Sequence, residues 1–226
     1  MANSHPILTE LRALSPHRTP ALPDLAHAQT IRPVYQAFLN THHIRRGHSI
    51  PALAQSAMQL AEQPHLSPNA ALWCAWQLLL AEQRGHGPDG TQIEGLWHHA
   101  FTHQHPDGHL HPLTPDTLLD GFVYDELTAL HAAANLALAL NHPEKIAAVR
   151  RLVAYHVSNT QPDNTTNEPW ALAAFALFDN TGFAAQQLFD TRNHLNHHPN
   201  MPAAQRDIII LLLTDAMLTL ESAPAL

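Results

Sequence analysis

The chain is poor in the residues that most often announce a function. It has 226 residues but one cysteine, Cys74, and one lysine, Lys145. A lone cysteine excludes an intrachain disulfide and a cysteine-based zinc cluster, which fits a reducing, cytoplasmic compartment. Lysine and arginine together number 11 against 19 acidic residues, for a formal charge of −8. Nucleic acid needs clustered cations and is therefore not an expected partner. The eight glycines are dispersed, with no Walker loop, G-x-G-x-x-G or G-x-S-x-G. The longest strongly apolar run, "IIILLL" at 208–213, is far too short for a membrane span. The N-terminus lacks the basic start and apolar core of a signal peptide. Strand-like alternation is almost missing.

Histidine and helix-forming patterns are abundant instead. Twenty histidines are half protonated near pH ~6.5 and would add about ten charges there. The chain then passes through neutrality just below cytoplasmic pH, which bears on solubility rather than fold. Residues 1–30 read as a proline-rich N-terminal arm with one short helix near Ile7–Leu14. Residues 31–226 read as a single all-α domain. Apolar spacing predicts helices near 30–40, 51–63, 69–84, 91–104, 116–140, 143–160, 169–178, 182–198 and 202–221. Pro51, Pro68, Pro143, Pro169 and Pro202 fall at starts or gaps, where a missing N–H costs least.

Two kinds of helix alternate. "AALWCAWQLLLA" (70–81), "LTALHAAANLALAL" (127–140), "PWALAAFALF" (169–178) and "DIIILLLTDAML" (207–218) are apolar nearly all round, so each should be buried on every side. The helices at 143–160 and 182–198 are amphipathic. Inner-then-outer alternation predicts stacked helical hairpins in a two-layer arc.

Three groups of residues stand out as candidate sites. The first is "WHHAFTHQHPDGHLHP" (97–112). His99 and His103 share a helix face, and His105, His109, His111 and Asp107 follow in the turn, a spacing that zinc can use. The alternative is an exposed helix end in a histidine-rich chain, and no cofactor is otherwise implied. The second is a polar stripe, Tyr124, Thr128, His131 and Asn135, down an apolar helix. Buried polar groups must be paired, so the stripe is either a core network or the lining of a cavity. Glu126 has the wrong spacing to hold His131 directly. The third is "QPDNTTNEPWALAAF" (161–175). Asn167 or Glu168 would cap the following helix. Asp163, Asn164, Thr165 and Thr166 exceed what a cap needs and would satisfy their own turn or rim a cavity with Trp170 as a wall.

The order "PDGHL", "DELTALHAAANLALAL", an outer helix, then "QPDNTTNEPWALAAF" resembles the α/α-toroid proteins, over about residues 70–195. That group includes terpenoid cyclases, protein prenyltransferase β-chains and some polysaccharide lyases, and the likeness extends to bacterial proteins of the same type. The resemblance implies an α/α toroid, incomplete or completed by a partner because the helices are too few for a full ring. It also implies polar groups at the starts of inner helices, which makes Asp163, His131 and Tyr124 the candidate catalytic residues. The departures are clear. Against the D-x-D-D-T-A block of acid-initiated cyclases only Asp163 and Thr165 match. The glutamine–tryptophan repeats of cyclases are missing, and Cys74 has no place in a prenyltransferase zinc site. A lyase would need a tyrosine–histidine pair, for which Tyr124 with His131 or Tyr155 with His156 qualify by residue type. The leading expectation is a binding module whose concave face takes a small apolar or amphiphilic ligand. The competing classes are a scaffold for a protein partner or homo-oligomer, and a cyclase-like or lyase-like enzyme.

Overall fold

The computed structural model describes residues 6–14, 33–88, 90–102, 104–114, 116–160, 167–179 and 182–223. Among them are ten helices and no strand. These are α1 (Leu8–Leu14), α2 (Pro33–Arg45), α3 (Ile50–Ala61), α4 (Pro68–Glu82), α5 (Gly90–Phe101), α6 (Leu119–Leu140), α7 (Pro143–Asn159), α8 (Leu172–Phe178), α9 (Phe183–His197) and α10 (Ala203–Ser222). Several starts follow local chemistry. Proline occupies the first position of α2, α4 and α7, and at α4 the Ser67 hydroxyl accepts from the Ala70 N–H.

The apolar helices form the inside. Helix α4 packs against α6, α6 against α8, and α8 against α10. The outer helices α5, α7 and α9 pack on α4, α6 and α8 respectively, and α3 also lies on α4. Burial is continuous from Ala71 to Leu79, Glu126 to Ala137, Glu168 to Phe175 and Leu211 to Met217. Helix α1 is docked rather than loose. Leu8 and Leu11 are buried against the core, α1 contacts α10, and Arg12 pairs with Glu221 at 2.8 Å. No helix among the described residues is long and apolar enough to cross a membrane.

One element departs from expectation. The segment at 169–178 becomes helical only at Leu172, and neither Asn167 nor Glu168 caps it. Asn167 (φ 49°) and Ala171 (φ 58°) both take left-handed backbone, so the chain turns twice before the helix begins. Trp170 lies between those turns with no exposed surface.

Candidate functional site

Asp215 is the chemical centre of the inner layer. It sits on α10 with none of its surface exposed. A buried carboxylate must be paired, and α2 and α6 supply the partners. The Arg45 guanidinium binds its Oδ1, His42 Nε2 lies 3.6 Å from the same oxygen, and His131 Nε2 lies 3.2 Å from Oδ2. Burial alone would push the Asp215 carboxyl up, but Arg45, His131 and His42 more than reverse this and hold it well below the ordinary range. Burial pushes His42 down to about 3, against the pull of Asp215, so this ring stays neutral.

His131 Nδ1 accepts from the Ala171 N–H at 3.3 Å, which leaves the ring proton on Nε2, 3.2 Å from Asp215 Oδ2 but off hydrogen-bond geometry. The left-handed turn at Ala171 delivers that N–H. Around His131 pack Phe38, Trp73, Trp76 and Trp170, with ring centroids 5.3–5.8 Å away. Glu168 accepts from the Tyr35 hydroxyl at 2.5 Å and from the Trp170 indole at 2.8 Å. Burial, then Glu168, holds the Tyr35 phenol far above its usual pKa. Aromatic side chains thus enclose His131 beside Asp215.

The polar stripe on α6 divides. Asn135 bonds Thr219 at 2.9 Å, and His131 joins Asp215, so the lower half is a core network. The upper half reaches an opening. Tyr124 lines a pocket of ≈ 480 Å³ between α2, α4 and α6. Thr128 accepts from the Asn69 side chain at 2.8 Å, and Asn69 is part of the pocket wall. The row Asn69, Trp73 and Gln77 on one face of α4 makes that wall, Pro33, Val34 and Ala37 of α2 face it, and Asp120, Gly121 and Asp125 of α6 complete it. Two buried atoms of the wall, Trp73 Nε1 and Asn69 Oδ1, have no hydrogen-bond partner among the described residues. His131 stacks behind Trp73 (interplanar angle 16°) and does not line the pocket.

The remaining candidates fall into three places. Asp163, Asn164, Thr165 and His103 lie outside the described residues. His99 Nε2 is 2.8 Å from the Leu66 carbonyl, away from the other histidines of its run. His105, Asp107 and His109 are brought together, with donor atoms within 4.8 Å of one another. His111 instead turns to Glu126, a fully buried carboxylate. Glu126 accepts from the backbone N–H groups of Leu110 and His111 and from His111 Nδ1 at 2.6 Å, while His156 Nε2 lies 3.6 Å away. Burial would raise the Glu126 pKa, but His111 and His156 draw it down to about 2. His156 is fully buried and also bonded to Thr160, and Tyr155 lies against His109.

Asp215 and Glu126 were missed as hubs. A single acid inside "IIILLLTDAML" was the available signal for Asp215, because an acid buried by its neighbours needs a cation. Comparison of the chain with protein-family models, with curated proteins and with solved structures found no match.

Proposed function

We propose that this chain is a binding protein of α/α-toroid type that takes a small, amphiphilic molecule in the pocket between α2, α4 and α6. The toroid reading rests on the succession of inner helices α4, α6, α8 and α10 and on Arg45 and His42 of α2 reaching Asp215 of α10. That contact between α2 and α10 supports reading the inner helices as a closed series. The ligand is bound beside it.

The carrying observation is the pocket itself. Its volume of ≈ 480 Å³ suits a single-ring ligand. Its walls are aliphatic and aromatic, and they hold an unpartnered indole N–H and an unpartnered amide oxygen. Each such group costs about 1–3 kcal/mol while unpaired, so a ligand hydroxyl that draws Asn69 or Trp73 toward it recovers part of that cost. Asp120 and Asp125, both exposed, stand at the rim and favour a cation over an anion.

Tyramine and 4-hydroxyphenylacetate test this, because they share a phenol and carry opposite charge. Calorimetry should find tyramine bound and 4-hydroxyphenylacetate at least about tenfold weaker. Gly121→Leu separates binding from folding. A Cβ at Gly121, on the pocket wall, meets nothing within 4 Å, so the backbone there accepts a side chain. It should keep or gain helix stability and abolish binding. Equal affinity for the two probes, or tyramine binding unchanged in Gly121→Leu, would refute the reading.

A second reading, a surface for another copy of the chain, draws on Leu118 (83% exposed) and Leu119 (65% exposed) at the start of α6. It predicts a dimer in light scattering that Leu118→Ser dissociates.

A further inference from the structure

We propose that His105, Asp107 and His109 form a binding site for one divalent cation of the zinc class. The case begins with hydrogen positions. His109 is 5% exposed, and its Nδ1 lies 2.8 Å from the His111 carbonyl, so Nδ1 carries the proton and donates it. Nε2 is then the ring nitrogen available to a metal, and it lies 3.4 Å from Asp107 Oδ1. An imidazole nitrogen and a carboxylate oxygen at this distance can share a proton or a metal ion. His105 Nδ1 approaches the same carboxylate oxygen at 2.8 Å. Three donors of the kind zinc accepts thus converge on one point. A backbone carbonyl holding the second ring nitrogen, as the His111 carbonyl holds His109, is the usual support of a metal-ligating histidine.

The spacing agrees. Ligand atoms about 2.0–2.2 Å from a tetrahedral zinc lie roughly 3.3–3.5 Å apart. The His109–Asp107 separation already matches. His105 stacks on His109 with centroids 4.5 Å apart, so its ring must turn for its lone pair to reach the metal. Its side chain is 56% exposed and free to do so. Both His105 and Asp107 open to solvent, which leaves the fourth position to water.

The loop that carries the donors is held in place. His105 N–H donates to the His109 carbonyl at 2.9 Å, and Gln104 Nε2 donates to the Gly108 carbonyl at 2.7 Å. Gly108 (φ 118°) presses on α7 so closely that a Cβ would lie 2.6 Å from the Arg151 carbonyl oxygen. Just beyond, Glu126 clamps the N–H groups of residues 110 and 111. Buried partners therefore fix the loop before any metal arrives, which lowers the ordering cost of binding.

A tag-free chain should be titrated with zinc chloride by calorimetry, and with cobalt chloride by visible absorption. We expect one equivalent to bind well ahead of the weaker sites that so many histidines provide, with cobalt giving the intense bands of a four-coordinate ion. His105→Gln and Asp107→Asn should each weaken that first equivalent by more than about 100-fold. His105 is exposed, so His105→Gln should leave the circular dichroism spectrum and thermal midpoint of the metal-free protein unchanged. His99→Gln, on the neighbouring helix, should leave the first equivalent untouched. Uniformly weak zinc binding, or a first equivalent that survives His105→Gln and Asp107→Asn, overturns the proposal.

Discussion

Asp215→Ala removes the carboxylate on which α2, α6 and α10 converge, and its cost can be worked out from the partners it leaves behind. Asp215 is fully buried, and breaking a buried pair by deleting one member costs about 3–5 kcal/mol. The Arg45 side chain is 27% exposed, so it can turn part of its charge to water, which places its share near the lower end. His131 cannot escape. Its Nε2, 3.2 Å from Asp215 Oδ2, loses the carboxylate it faces inside an aromatic shell, at about 1–3 kcal/mol. The expected total is about 4 kcal/mol, a large part of the roughly 5–15 kcal/mol that a domain has. Asp215→Asn keeps the volume and an acceptor for His131 and should lose about half as much. Urea denaturation followed by circular dichroism gives both values, with an unchanged m-value marking a change in stability alone. A loss below about 1 kcal/mol for Asp215→Ala, typical of an exposed ion pair, would refute the view that this cluster ties the inner helices together.

Acid should destabilise the protein in two stages. His42 is held down to about 3 from 6.5, so the unfolded chain takes up a proton first and stability falls as pH drops from about 6.5 toward 3. Glu126, held at about 2 against 4.5, contributes stability that is present above pH 4.5 and lost between 4.5 and 2. Unfolding free energy measured against pH in His42→Gln should lack about 1.4 kcal/mol per unit of slope between pH 6 and 4; an unchanged slope contradicts the assignment. Gly108→Ala should cost about 1–3 kcal/mol in thermal melts, from its left-handed backbone and its contact with Arg151. Cys74 is buried, and burial pushes its thiol up to about 12, so it should react with a disulfide reagent only under denaturing conditions. Fast labelling of the folded protein would show that α4 opens readily.

The helical layout was legible because its signals are local. Proline at the first position of α4 and α7, and all-round apolar runs such as 127–137, mark helices and their depth without reference to any partner. The start of α8 was not legible. It depends on left-handed turns at Asn167 and Ala171 that exist to seat Trp170 and to offer an N–H to His131. Asparagine favours the left-handed turn at 167, but Ala171 carries no such signal and answers a tertiary demand. Of the stripe, the four polar positions were readable from spacing, but their division was not. Asn135 found Thr219, 84 residues away, while Tyr124 found an opening made by α2 and α4. Glu126 is the clearest case of distance defeating pattern. Spacing showed only that it could not hold His131 directly, and its partners are a loop and α7.

The central claim is that the pocket against Trp73 takes a small cationic amphiphile. The most direct measurement is the nitrogen–proton NMR spectrum of the indole groups during a tyramine titration. The chain has four tryptophans, whose indole signals are assigned by single Trp→Phe variants. Trp73 Nε1–H has no partner among the described residues, whereas Trp170 Nε1–H is already bonded to Glu168. The account predicts a saturable downfield shift of the Trp73 signal, a much smaller change at Trp170, and neither change in Gly121→Leu. A Trp73 signal that stays fixed through saturating tyramine, or that moves equally in Gly121→Leu, would contradict it.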